Sequence, residues 1–226
     1  MLTPKRKIVL TADGSSSIFS EDVNQHYHSH FGALQESQHI FIAAGLCSAA
    51  LSPLRRIAIL EIGFGTGLNA LLTYFNAEEG CKTVYYEALE RYPVSQQEAE
   101  QLNYPAVLPY PSAKEIFTRL HGAEWNEKEF ISENFTLHKR QVSAINADYL
   151  SDTFDLVYFD AFSPEAQPAM WTKEVFLPIY NSMKKDAILL TYCTKGIVKN
   201  ILKEIGFQIE KLPGPKGKRE ILRARK

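Results

Sequence analysis

The stretch I-A-I-L-E-I-G-F-G-T-G-L-N, residues 57–69, decides how the rest of this 226-residue chain reads. Four apolar residues at its start have the length and branching of a buried strand. Three glycines within five residues follow, and a helix begins near Leu68. Glycine at such a turn lets the backbone bend sharply and pass close to a ligand. The first turn of the helix then offers free N–H groups to a carboxylate. The spacing disfavours a dinucleotide fingerprint. G-x-G-x-x-G begun at Gly63 needs a glycine where Leu68 stands. Begun at Gly65 it ends at Ala70, the relaxed form, with Thr66-Gly67 unusual inside it.

Outward from that turn, short apolar runs alternate with helical segments, the signature of a parallel sheet flanked by helices. Strands are expected at 57–60, 83–89, 135–139, 154–159, 187–191, 207–212 and 221–225. The last two are separated by P-G-P-K-G-K, too short for a crossover helix, so they should pair antiparallel. The expected class is α/β: a Rossmann-like, mostly parallel seven-stranded sheet ending in an antiparallel hairpin, with a small N-terminal extension. Residues 7–11 and 17–19 read as a hairpin around Ala12-Asp13-Gly14-Ser15. Phe31, Leu34, Phe41, Ile42 and Leu46 recur at helical spacing to about Ala50, before Pro53. The expected organisation is therefore a hairpin and helix (1–52) packed on a Rossmann-like domain (53–226). Residues 91–134, with Pro105, Pro109, Pro111 and a helix near 112–120, should form an inserted lobe over one edge.

Ligands in open α/β sheets gather at the carboxyl ends of the strands. Glu90 closes the second strand and can accept both hydroxyls of a ribose; Glu87 competes for that role. After the third strand stands Gln141-Val142-Ser143, with Asp148 the nearest carboxylate, so the base of a nucleoside has no assigned contact. The fourth strand delivers Asp160, followed by Ala161-Phe162-Ser163-Pro164. An aspartate there can simply cap a turn. Its position beside the switch point favours a ligand-facing role, with Phe162 placed to stack on a planar group.

The composition, 45% hydrophobic and 23% charged, is that of a globular domain. The net charge of −1 conceals an asymmetry: residues 213–226 carry +5 and the preceding 212 carry −6. A basic end on an acidic body suggests a polyanionic partner. The basic loop follows a parallel strand, so Lys216, Lys218 and Arg219 should emerge on the face of the glycine turn and could hold phosphates there. Cys47, Cys81 and Cys193 are odd in number and widely spaced, against a disulfide framework or a zinc site. His26, His28, His30 and His39 lack partners at ligand spacing, so no metal is expected. With no spanning apolar run and no secretory h-region, a cytoplasmic chain away from membranes is expected.

The E-x-G-x-G-x-G order at residues 61–67 is the form that class I methyltransferases carry, and the placement of Asp160 resembles the D/N-P-P-Y motif of nitrogen-methylating enzymes. More specifically, D-A-F-S-P-E-A-Q-P-A-M-W at 160–171 resembles the D-x-F-x-P…N-P-x-M-W block of the MnmC family. The resemblance extends to T-A-D-G-S at 11–15 and H-Y-H-S-x-x-G-A-x-x-E-x-x-H-x-F at 26–41. L-E-R-Y-P at 89–93 and G-K-R-E at 217–220 continue it. Nearly the whole chain is covered in order; Gln167 departs from the usual asparagine.

What this implies is an S-adenosyl-L-methionine-dependent enzyme that methylates the 5-aminomethyl group of (2-thio)uridine at the tRNA wobble position. Glu61, Gly63, Phe64, Gly65, Gly67, Asn69 and Glu90 would hold the cofactor, and Asp160 would be catalytic. Tyr27, His28, Glu36, Phe162, Pro164, Trp171, Lys216, Lys218 and Arg219 would meet the substrate, with the anticodon stem-loop as partner. Glu36 and His39, three apart on one helical face, would join Tyr27 and His28 in a lid. The chain ends without a second Rossmann pattern, so the stand-alone MnmD-type form is expected, lacking the FAD oxidase domain of many members; any oxidase or pathway partner is unnamed. With an ordinary carboxyl pKa near 4, Asp160 is a poor base for an alkylammonium, so it should accept a hydrogen bond and stabilise the charge growing on nitrogen. Two other readings share the fold. One is a small-molecule amine N-methyltransferase or aminopropyltransferase, disfavoured by the basic tail. The other is a non-catalytic RNA-binding module, disfavoured by the intact glycines and Asp160.

Overall fold

The computed structural model describes residues 5–226. Strands β1 (Arg6–Leu10) and β2 (Ser16–Ser20) pair antiparallel, and β3 (Gln25–His26) extends them into a three-stranded sheet. The turn between β1 and β2 does more than reverse the chain. Its side chains reach the start of α1 (Ala33–Ser37) and accept from three successive backbone N–H groups. Ala33 donates to Thr11 Oγ1 at 3.2 Å, Leu34 to Ser15 Oγ at 3.1 Å and Gln35 to Asp13 Oδ2 at 3.0 Å. Orphan donors of a helix N-terminus are thus satisfied by a distant turn. From α1 the chain runs into a π-helical stretch, Gln38–Leu46, whose Ile40, Phe41, Ile42 and Leu46 are buried.

The main sheet comprises β4 (Arg56–Ile62), β5 (Thr83–Leu89), β6 (Lys128–Ser132), β7 (Phe135–Arg140), β8 (Phe154–Phe159), β9 (Met183–Thr191), β10 (Gln208–Pro213) and β11 (Glu220–Arg225). Their order is β10-β11-β9-β8-β4-β5-β7-β6. β4 lies between β5 and β8 in parallel register, and β7 and β9 continue the parallel run outward. β11 is antiparallel to both β9 and β10. Each strand expected from the sequence is present, and the chain closes on the expected hairpin.

An eighth strand, β6, was not expected; it runs antiparallel to β7 at the sheet edge. K-E-F-I-S is short and charged, with Phe130 exposed and only Ile131 fully buried, so it carries too little apolar signal to read as sheet. It lies in the segment read as a lobe, as do α3 (Gln96–Glu100), α4 (Tyr104–Val107) and α5 (Ala113–Gly122). α5 packs against α2 (Leu68–Glu79), so much of this segment is the crossover from β5 to β7. Helices cover both faces of the sheet. α2, α5 and the π-helical stretch bury Phe41, Leu71 and Phe117 with Tyr86 and Tyr158 on one face. α6 (Lys173–Ser182) and α7 (Gly196–Ile205) bury Phe176, Ile179 and Leu202 with Phe159 and Leu189 on the other.

Candidate active site

Beyond Ile62 the chain turns through Gly63 at φ 94° and Gly65 at φ 50°, conformations open to glycine and strained for other residues. A Cβ on Gly63 would stand 3.0 Å from the Asp160 carbonyl oxygen, so the absent side chain lets the ends of β4 and β8 close together. A Cβ on Gly65 would stand 3.1 Å from the Tyr27 ring. Glu90 braces the same turn: its Oε2 accepts from the Gly65 N–H at 3.1 Å and its Oε1 from Tyr92 N–H at 2.7 Å. Glu87, its competitor, points elsewhere, to Arg140 at 3.0 Å and His138 at 3.3 Å.

These groups line one cavity of about 850 Å³. Asp160 enters it from the end of β8, and its Oδ2 accepts from Asn69 Nδ2 at 2.9 Å. This residue is half-buried at the cavity wall. Desolvation lifts its pKa to about 7, with Glu36 pushing the same way and Asn69 and Lys218 opposing. Asp160 therefore titrates nearer neutrality than an ordinary carboxyl near 4.

The N-terminal segment closes the cavity from above. Gln25 and Ser163 exchange two hydrogen bonds, at 2.6 and 3.1 Å. Tyr27 meets Phe162 edge-on with ring centroids 5.0 Å apart. His28 Nε2 lies 2.9 Å from Thr66 Oγ1, and burial pushes its pKa down to about 4, so it is neutral at physiological pH. Glu36 accepts from Ser29 N–H at 2.7 Å and pairs with Lys218 at 3.0 Å. The Lys218 ammonium also lies 4.8 Å from the centroid of the Tyr192 ring, and Tyr192 donates its hydroxyl to the Ala161 carbonyl at 2.9 Å.

Of the residues expected at the site, Gly63, Phe64, Gly65, Asn69, Glu90, Tyr27, His28, Glu36, Asp160, Phe162 and Lys218 all face this cavity. Others stand off it. Glu61 is fully buried beneath the turn. Gly67 caps α2 against His121. Trp171 packs on Phe159 and donates Nε1–H to the Phe162 carbonyl at 2.7 Å, supporting the loop from behind. Pro164 and Arg219 line an adjoining depression of about 360 Å³ that shares Lys218 with the cavity. Lys216 is exposed outside both. His39 turns away, its Nε2 2.8 Å from the Pro213 carbonyl oxygen. Asp148 is exposed and paired with Arg140. Val142, Ser143, Ala144 and Ile145 fill the wall that had no assigned residue. Tyr192 was missed although it follows β9, the neighbour of β8, where the strand-end rule applies. Arg6 and Gln25 carried no signal, because a separate sheet brings them in. Among the described residues no cluster of His, Cys, Asp and Glu has metal-binding geometry, and no helix is long and apolar enough to cross a membrane.

Comparison with known proteins places this geometry in context. The chain is 27% identical over 220 residues to the tRNA 5-methylaminomethyl-2-thiouridine biosynthesis bifunctional protein MnmC of Cupriavidus necator; the alignment covers 93% of the chain and 33% of that protein. The chain thus spans about a third of the length of the curated relatives it matches. Among solved structures, MNMC2 from Aquifex aeolicus superposes with a TM-score of 0.82 at 23% identity, covering 97% of this chain and 69% of that one. Spermidine synthase from Thermotoga maritima gives 0.59 at 12% identity, covering 100% and 70%, so the fold by itself does not choose between methyl and aminopropyl transfer. A family model described as S-adenosyl-L-methionine-dependent methyltransferase matches residues 113–226, which include Asp160 and the closing hairpin. That match runs over half of the sequence, and the chain belongs to this family of S-adenosyl-L-methionine-dependent methyltransferases.

Proposed function

We propose that this enzyme methylates the 5-aminomethyl group of uridine or 2-thiouridine at the wobble position of tRNA. The observation that carries the reading is the Asp160 carboxyl, held beside the glycine turn in a cavity that Tyr27 and Phe162 also line. The cavity suits an adenosyl donor. Its volume lies in the range of small-molecule sites, roughly 300–1,000 Å³. The backbone comes close where Gly63 and Gly65 lack side chains, and each Glu90 oxygen keeps a lone pair after accepting one backbone N–H. Gly63, Phe64, Gly65, Asn69 and Glu90 would hold the donor, with Ser143, Ala144 and Ile145 against its base.

When bound, S-adenosyl-L-methionine supplies an electrophilic methyl group on sulfonium. Asp160 accepts a hydrogen bond from the acceptor amine, aims its lone pair along the line of displacement, and takes up the proton that the nitrogen sheds. Phe162 and Tyr27 exclude water and offer faces to the uracil ring. At the mouth, Lys218 and Arg219 stand where the phosphates flanking a flipped-out anticodon base would pass.

The test is incubation with S-adenosyl-L-methionine and tRNA bearing 5-aminomethyluridine, followed by nucleoside mass analysis. Conversion to 5-methylaminomethyluridine is expected. Methylation at another nucleoside, or of free amines alone, would overturn the proposal.

A further inference from the structure

The pair formed by Glu36 and Lys218 has a chemistry that the reaction above leaves unused. Glu36, on α1, faces the cavity with its side chain only 9% exposed. Its Oε2 accepts from the Ser29 N–H at 2.7 Å, whereas Oε1 accepts no hydrogen bond among the described residues. What meets Oε1 is the charge of Lys218 Nζ, 3.0 Å away. A buried carboxylate left without a cation is costly, so this oxygen calls for a positive partner. Tyr192 supplies the other half of the niche. Its ring centroid lies 4.8 Å from the same ammonium, and its hydroxyl donates to the carbonyl of Ala161, the residue after Asp160, at 2.9 Å. A carboxylate and an aromatic face together suit a primary alkylammonium. The niche thus adjoins the carboxyl assigned to the acceptor amine. Burial raises the Asp160 pKa most; Glu36 adds to that shift and Lys218 opposes it, as charges close by do.

Lys218 is not a fixed wall of that niche. It comes from the loop between β10 and β11, and its side chain is 28% exposed. With Ser163 and Tyr192 it borders both the cavity and the depression where Lys195 and Arg219 stand. A point charge on a flexible four-carbon stem has two places to go from there: inward to Glu36, or outward to an anion in the depression. Lysine and a 5-aminomethyl group end in the same primary alkylammonium, so the two compete for one carboxylate. We propose that Lys218 is a specificity-determining residue: in the tRNA-free enzyme its ammonium fills the niche at Glu36 and Tyr192 that the acceptor's ammonium takes, and RNA phosphate at the mouth draws it out. The exchange keeps one cation on Glu36 throughout. A free amine brings no phosphate and must displace Lys218 unaided, whereas an anticodon brings both groups. The niche governs arrival, before the amine sheds its proton and the methyl group moves.

This inference rests on the aminomethyl acceptor proposed above, and its test reads binding without turnover. The full chain, wild type and Lys218→Met, is saturated with S-adenosyl-L-homocysteine and titrated by calorimetry at neutral pH. The titrants are two nucleosides, 5-aminomethyluridine and the uncharged 5-hydroxymethyluridine. Methionine keeps an unbranched stem and removes the charge. The aminomethyl nucleoside should bind Lys218→Met about fivefold or more tighter than wild type, and the hydroxymethyl nucleoside should stay within about twofold. Transfer RNA bearing 5-aminomethyluridine should move the other way and bind about threefold or more weaker, because a phosphate contact is gone. Glu36→Gln should bind the two nucleosides alike. An aminomethyl affinity that is unchanged, weaker or undetectable at millimolar concentration in Lys218→Met would overturn the inference. An equal gain for both nucleosides would do the same, since it would show space opened and not a cation displaced. If Glu36→Gln does not fold, the Lys218→Met titrations decide. A protein that shows this nucleoside pattern but leaves tRNA unmethylated would sink the tRNA proposal and leave this one standing.

Discussion

At Asp160 burial and function pull against each other. The group that we propose takes up the amine's proton is kept in a site that disfavours its charge, and the result is a pKa of about 7. Below that value it is a neutral acid; above it the carboxylate is available to the amine. Methyl transfer should therefore rise with pH through about 7 in single-turnover measurements and fall away in acid. Asp160→Ala should lose about 100-fold or more, and alkaline buffer should restore it only in part, because deprotonating the amine does not aim its lone pair. Full recovery at high pH would reduce Asp160 to a base alone. Glu61 gives a second sign to check. Its folded pKa is raised above 4.5, so between those values the unfolded chain ionises and the folded chain does not. Stability then falls as pH rises through 4.5. Glu61→Gln should melt above wild type at pH 8, with the difference shrinking toward pH 4. Strand ends made Asp160 after β8 and Glu90 after β5 legible, and both lie in the cavity, while Tyr192 after β9 was passed over. Glu61 belongs to the same motif, but the pleat of β4 turns it into the core, a distinction that the letter E does not carry.

Among the elements, the connection of the N-terminal sheet to α1 is the least ordinary. The turn at 11–15 read as a hairpin reversal, and it is also the cap of a helix that carries Glu36. Asp13→Ala removes an acceptor for the Gln35 and Ser15 N–H groups and should cost about 1–2 kcal/mol in denaturant unfolding. Methyl transfer should weaken with it, because Glu36 rides on that helix. Gly217 is a second such joint. It lies at φ 88°, and a Cβ there would come within 2.0 Å of the Phe31 ring, so Gly217→Ala forces the hairpin tip away from the N-terminal segment. Tight binding of modified tRNA should suffer several-fold more than binding of S-adenosyl-L-methionine, as parallel titrations would show. The long parallel strands and the closing hairpin announced themselves through apolar runs. β6 and the capping turn did not: β6 carries too few apolar residues to read as sheet, and the turn's partners lie in another element, 19 and 22 residues further along.

For the molecule as a whole, the charge asymmetry now has a location. Lys218 is engaged with Glu36 and the Tyr192 ring, leaving Arg219 and Lys216 exposed on the loop beside the cavity mouth. The double variant Lys216→Ala, Arg219→Ala should weaken tRNA binding similarly across sequences and lower the slope of log Kd against log salt by about two. An unchanged slope would move the RNA path to another face. The mostly parallel sheet and its antiparallel closing hairpin followed from the rhythm of strands and helices. The closure of the site by the N-terminal segment came only through the family resemblance, which put Tyr27, His28 and Glu36 in a lid, because nothing in the periodicity of residues 5–50 says what they pack against.

Arg6 and Lys218 face the same cavity from opposite ends of the sequence. The proposed seat for the donor is built from β4, β5 and β8 with the loop before β8, whereas the wall beside Asp160 also draws on β1 to β3 and the loop between β10 and β11. A cut in the loop between β10 and β11 should therefore spare binding of the donor while loosening the grip on an acceptor tRNA, two readouts that a protease-nicked sample separates.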